Sequence, residues 1–371
     1  MSQSATLVSA RLEPRPWSQH LLEREQEINI VSHADWNALL DLFEDVNYEQ
    51  SSLFTAKTFG VENTVCVVVV EQGEVLGGMC YGRVNVPVLG GVGFCKVGPV
   101  WRPIGKPVDL GRYMRLVTAL CRHAKNAGIA LTLIPRAHPV FTSLESDALA
   151  DLGLKARRMT QGGDHFICNA SLSAEAQLAS LAQTWRANLR KAEKAGVDVV
   201  ELDPGDYAAF EALYQSMSER KQVLLFRPVD VVPELAESLP EDLKPKCLMA
   251  HHDGEAVAGI VYGVLGDTAY YLYGATGEKA LPVRAGYKLQ WEVLERIRGE
   301  AAWYDLGTSA SEPGLAQFKS GLMGKEGIKL QVPGEFDYAA TIKAKLALKF
   351  VYGARGARRI LRTWMSRLYR G

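Results

Sequence analysis

The chain has 371 residues, enough for two domains that each bury a core, and its 47% hydrophobic and 23% charged residues fit a soluble globular protein. Equal numbers of basic and acidic side chains, 42 of each, leave no global field to draw nucleic acid, so any basic surface is local. Six dispersed cysteines without a CxxC pair fit buried, reduced thiols and a cytoplasmic setting, and neither a signal-peptide pattern nor a membrane-spanning apolar run is present.

Residues 1–25 mix charges with Pro14 and Pro16 and read as a loosely attached lead-in. Over 34–46, Trp36, Leu39, Leu40 and Phe43 recur on one side, which predicts a helix. The β-branched run 64–70 (TVCVVVV) and the run 75–81 flank a Glu-Gln-Gly-Glu turn and predict a hairpin. A glycine- and valine-rich stretch, 86–100, leads from strand into loop at Gly98-Pro99. Helix 110–127, strand 128–135 closing at Pro135, helix 141–152 and strand 165–168 complete the first half.

A short helix over 184–196 (TWRANLRKAEKAG) opens the second half, with Thr184 as a candidate N-cap and Gly196 as its stop. Trp185, Leu189 and Ala192 fall on one side of it and Arg186, Arg190 and Lys194 on another, spaced by four. Three cationic heads in a row suit an anion with several oxygens, such as a pyrophosphate; a merely solvated face is the plain alternative. Strand 197–202, helix 207–221, strands 246–251, 256–262 and 268–274, helix 286–298 and strand 302–306 follow. In both halves a helix precedes a hairpin, then a strand, a helix and a further strand.

The 184–196 helix, the strand end Trp303-Tyr304-Asp305-Leu306-Gly307 and the segment GLAQFKSGL (314–322), in that order and separation, resemble the FemAB-like family. Its members are non-ribosomal peptidyltransferases that build peptidoglycan cross-bridges, and it grades into acetyltransferase-like proteins of exopolysaccharide and cellulose operons. The resemblance is clearest from about 184 to 332. Together with the doubled element order it implies an α/β (α+β) fold of two tandem N-acetyltransferase-like (GNAT) domains, each a mixed sheet flanked by helices. Domains are expected at 1–175 and 176–340, followed by a basic amphipathic tail, 341–371.

Two departures bear on the donor. The stretch between Gly196 and Tyr207 has no room for the long helical arm common in members that use charged tRNA. Arg284-Ala285-Gly286 is a poor match to the Gln/Arg-x-x-Gly-x-Gly/Ala turn that cradles the pyrophosphate of coenzyme A. Aminoacyl-tRNA and acyl-CoA therefore both stand as acyl donors, and no bound cofactor is expected.

The resemblance gives Lys319, expected on a loop between Gly314 and Gly321, the task of stabilising charge during acyl transfer; a surface lysine is the alternative. Phe318 is taken with it as a substrate contact. Asp305 can orient a substrate amine or accept its proton, or simply cap the next turn. Tyr271 and Tyr273, two residues apart, are expected on one strand face, Tyr271 lining a sugar or peptide cleft and Tyr273 assisting the transfer; a core edge is the alternative. His251-His252 reads as hairpin decoration rather than a metal site, Gly105-Lys106 lacks a P-loop frame, and neither GxSxG nor HExxH occurs.

From 341 to 371 every charged residue is basic, with aliphatic and aromatic residues interleaved. An anionic membrane surface is one reading of that pattern, a helix packed on the second domain another, and RNA contact a third. The expected function is an acyl- or aminoacyltransferase acting on an amine of a cell-envelope glycan precursor or nucleotide sugar, in the cytoplasm or on the inner membrane face. An acetyl-CoA-dependent N-acetyltransferase of exopolysaccharide biosynthesis and a non-catalytic glycan- or membrane-binding assembly factor are the rivals.

Overall fold

The computed structural model describes residues 25–157, 163–203, 206–221, 229–309 and 312–368, with side chains described as far as Arg355. The lead-in, apart from Glu25, and the tail side chains beyond Arg355 lie outside the described residues. In chain order the first half contributes β1 (Gln26–Val31), α1 (His33–Leu39), α2 (Ser52–Phe59), β2 (Thr64–Glu71), β3 (Glu74–Val86), β4 (Gly90–Lys96), α3 (Leu110–Asn126), β5 (Ile129–Ile134), α4 (Phe141–Asp151), β6 (Lys155–Arg157) and β7 (His165–Asn169). Next come α5 (Ala174–Ser180), α6 (Gln183–Lys194), β8 (Asp198–Leu202), α7 (Ala208–Lys221), α8 (Val231–Ser238), β9 (Lys246–His252), β10 (Glu255–Leu265) and β11 (Thr268–Thr276). The chain continues with α9 (Ala285–Arg296), β12 (Trp303–Thr308), α10 (Pro313–Met323), β13 (Ile328–Leu330), β14 (Glu335–Tyr338) and α11 (Ile342–Leu368).

These strands form two seven-stranded sheets, ordered β1-β2-β3-β4-β5-β14-β6 and β13-β7-β12-β11-β10-β9-β8. Each has an antiparallel run of four strands, one parallel step (β4 to β5, β11 to β12), and then two more antiparallel strands. The doubled mixed sheet expected from the element order is therefore present. The halves also exchange a strand. β7 leaves the first half to lie between β12 and β13, and β14 leaves the second to lie between β5 and β6. Sheet membership thus departs from the expected boundaries at 175 and 340, because each half completes the other's sheet.

β2 shows why its run of valines is unbroken. Val67 and Val69 face a core with α3 and α4, while Cys66 and Val68 face the core shared with the second sheet, so both faces are buried. That shared core is continuous: Trp36, Phe43, Tyr48 and Phe54 pack with Phe210, Val232, Leu235, Met249 and Val261. Gly266 makes one close approach there, at φ +62, where an added Cβ would sit 2.0 Å from the Glu44 carbonyl oxygen. Polar ties cross the same seam. Tyr48 donates to the Leu243 carbonyl (2.9 Å), and Arg102 Nη2 lies 2.8 Å from Asp267 Oδ2.

On the far side of the second sheet, α6, α9 and α10 build a separate core around Trp185, Leu189, Leu289 and Leu322. α11 packs on the first sheet rather than on the second domain, through Ala344, Ala347, Leu348 and Val351 against Val86, Val92, Phe94 and Ala130. Among the described residues no helix is long and apolar enough to cross a membrane, and all six cysteines are buried and free.

Candidate active site

The parallel step is closed in one sheet and open in the other. β4 and β5 stay paired over six positions, from Gly91–Ile129 to Lys96–Ile134. β11 and β12 pair at only three, Thr268–Trp303, Ala269–Tyr304 and Tyr270–Asp305, and then part. The cause is local. Val261 opposes Tyr273 and Tyr262 opposes Tyr271, so Leu272 is an extra residue, a bulge that bends β11. On the other side, the pairing of β12 with β7 is interrupted between Asp305 and Thr308, around Gly307 at φ +67. A wedge therefore opens at the C-terminal ends of two parallel strands, a place where α/β folds bind ligands.

Lys319 stands at that wedge. It lies on α10, a regular helix, not on the loop expected from its flanking glycines. Its Nζ donates to the carbonyls of Leu306 (2.5 Å) and Thr308 (2.7 Å) and lies 5.4 Å from the centre of the Tyr271 ring. Burial brings its pKa down to about 8, with Asp305 pulling the other way.

Asp305 caps the next turn, the plainer of its two readings. Its Oδ1 accepts from the Gly307 amide (2.7 Å), capping the turn that ends β12. Both carboxylate oxygens also face His165 Nδ1, at 3.0 and 3.1 Å. Sequence reasoning had missed His165. It was visible only as the first residue of a predicted strand, and the exchange of β7 into the second sheet, with His165 opposite Thr308, brings it to Asp305.

The other predicted residues divide. Tyr271 packs with the core of α6, α9 and α10, beside Lys319. Tyr273 belongs to the core between the sheets, edge-on to Tyr214 at 5.7 Å. The bulge at Leu272 breaks the alternation, so the two tyrosines do not share a face. Phe318 is half-buried against Trp185 (6.0 Å) and Tyr287 (4.9 Å).

α6 is held in the same layer as α10, since an added Cβ at Gly321 would be 2.9 Å from the Trp185 ring. Its cap residue is Ala182, not Thr184, and its stop at Gly196 is left-handed at φ +69, as expected. Arg186 turns back to donate to the carbonyls of Leu178, Ala179 and Leu181 at 3.0 to 3.3 Å, tying down the end of α5. Arg190 and Lys194 are exposed. Arg284, left-handed at φ +60, is the N-cap of α9, which follows the end of β11. No group of three potential metal ligands occurs among the described residues.

Residues 179–320 match the acetyltransferase (GNAT) domain family. No curated protein matches the chain. Among solved structures, FemX superposes with a TM-score of 0.70 at 17% identity, covering 88% of this chain and 99% of that one. The C-terminal (DUF2156) domain of a putative lysylphosphatidylglycerol synthetase from Agrobacterium fabrum gives 0.55 at 14% identity, over 85% and 95%. A conserved protein of unknown function from Bacteroides thetaiotaomicron gives 0.54 at 11%, over 84% and 99%. Those identities speak for the fold, while the family match speaks for the domain that holds the wedge and Lys319. Residues 179–320 are thus similar to the acetyltransferase (GNAT) domain family, and the chain as a whole has a fold like that of FemX.

Proposed function

We propose that the chain moves an acyl or aminoacyl group from an activated ester or thioester onto an amine of a cell-envelope glycan precursor or nucleotide sugar. The observation that carries this reading is a buried ammonium, that of Lys319, at the mouth of the parallel strand pair that opens, where its counterpart among the described residues stays closed. With the donor carbonyl in the wedge, attack by the amine forms the C–N bond and moves the carbonyl electron pair onto oxygen. The Lys319 ammonium stabilises that oxyanion, in a site where burial strengthens the interaction. Asp305 accepts from His165 Nδ1–H, a tautomer that places the basic lone pair on Nε2. His165 takes the amine proton and returns it to the departing alkoxide or thiol sulfur as the C–O or C–S bond breaks. No metal step is required, because the donor already has a good leaving group.

Arg190 and Lys194, in the same layer as α10, are the residues we assign to the acceptor's phosphates; Arg186 serves the end of α5 instead. The packed core between the sheets occupies the part of the seam around Tyr48 and Phe210, so the acceptor lies at the wedge and not in that region. An acetyl-CoA donor is the second reading, supported by the start of α9 immediately after β11, where a helix N-terminus can receive a pyrophosphate.

The test pairs donor titration with turnover. Acetyl-CoA and an aminoacyl-tRNA are each titrated calorimetrically and then offered with amino-sugar nucleotides as acceptors. Transfer from one donor is expected, with His165→Asn lowering kcat on the order of 10² to 10⁴-fold and leaving donor affinity unchanged. Binding of neither donor, or full turnover in Lys319→Ala, would overturn the assignment and favour a non-catalytic binding role.

A further inference from the structure

α11 is pinned to the first sheet along one side only. Its opposite side carries Ile342 (77% exposed), Leu346 (45%) and Phe350 (63%), spaced by four and so aligned in a single ridge. Lys343 borders the ridge on one flank and Lys345 and Lys349 on the other, all exposed, and no acidic residue follows Asp337 in the sequence. Beside this helix, Val86 and Leu89 of the β3–β4 hairpin pack into the core that α11 closes. The hairpin's tip holds Val88 out at 87% exposure and φ +66, a conformation that a β-branched side chain adopts only at a cost.

We propose that the ridge of α11, with the Val88 tip beside it, docks on an anionic lipid bilayer. Three large apolar side chains bordered by lysines match the two parts of such a surface: the ridge enters the acyl boundary while the ammonium groups stay among the headgroup phosphates. A nucleic acid would satisfy the lysines but leave Ile342, Leu346 and Phe350 in water. The docking is independent of the acyl-transfer reading, since nothing in it involves the wedge.

Flotation of the full-length chain with vesicles of phosphatidylcholine alone, and of phosphatidylcholine with about one-third phosphatidylglycerol, tests it. Binding is expected to the anionic vesicles, to weaken with salt, and to fall on the order of 100-fold when Lys343, Lys345 and Lys349 are changed together to Gln. Changing Ile342, Leu346 and Phe350 together to Ser is expected to lower it roughly tenfold or more, and the single Phe350→Ser, which removes one exposed ring, to lower it measurably with thermal unfolding unchanged. Binding that ignores vesicle charge, absence of binding, or full binding by the ridge variants overturns the proposal. Lysine-dependent, ridge-independent binding to an oligonucleotide would overturn it in favour of nucleic acid.

Discussion

Lys319 is placed where two opposing demands meet. Burial penalises its charge and brings its pKa to about 8, while two strand-end carbonyls and the ring of Tyr271 hold the ammonium in position. At pH 7 the group is mostly charged, as the oxyanion role proposed for it requires. Turnover is therefore expected to fall as pH rises through about 8, and a kcat profile that stays flat to pH 9.5 would argue against an ammonium role. Lys319→Met is expected to lower kcat by about 10² to 10³-fold with donor affinity little changed, the loss typical of one oxyanion donor. The same burial gives a stability signature. The folded chain binds this proton less tightly than the unfolded chain, whose lysines titrate near 10.4. Its penalty is thus full below about pH 8 and relieved between there and about 10.4, so this site contributes a rise in stability across that window. Denaturant midpoints from pH 7 to 10 should show the rise in the wild type, and Lys319→Met should lack it.

At the scale of elements, the site depends on how α10 lies against α6 and on the bulge that parts β11 from β12. Gly321 permits the helix contact: a methyl group there would stand 2.9 Å from Trp185 Cδ1 and force α10 outward, two residues from Lys319. Gly321→Ala is expected to cost about 1 to 3 kcal/mol of stability and to lower kcat more than donor affinity, measured by denaturant titration beside kinetics. Strands, helices and their doubling were legible in the sequence because β2 is a largely β-branched run, while the amphipathic α3 and the Trp185 face of α6 each keep the helical period. The order of short motifs singled out Lys319 and Asp305, and the structure brings both to the end of β12. The separation of Tyr271 from Tyr273 was not, since a single extra residue at Leu272 inverts the alternation and bulges carry no fixed signature. Nor was Arg186's role, because a cation that closes a helix end is spelled like one that awaits a phosphate.

For the molecule as a whole, the seam and the strand exchange make the two sheets one folding unit. His138 accepts from the amides of Val140 and Phe141 at Nδ1, so its Nε2–H points at Asp267, 3.3 Å away, and burial keeps the ring neutral by lowering its pKa. Burial alone would raise the Asp267 carboxyl, but His138 and Arg102 together outweigh it and hold that pKa well below the usual range. The stability this contributes is present above the ordinary aspartate pKa, about 3.9, and is lost as pH falls below it towards the folded value. Asp267→Asn is expected to cost about 3 kcal/mol at pH 7, by leaving buried Arg102 with only its longer contacts to Glu44, and to flatten that acid limb. The exchange leads to a sharper expectation. A fragment cut at the sequence-based boundaries, 176–340, lacks β7, so β12 and β13 have no strand between them, while its own β14 has lost β5 and β6. Two open edges and half of the shared core would face water. That fragment is expected to be aggregated or molten by circular dichroism and amide exchange, whereas the full chain unfolds in one cooperative step. Two separate transitions in the full chain, or a well-dispersed amide spectrum from the fragment, would show that the halves fold independently and that the exchanged strands are dispensable.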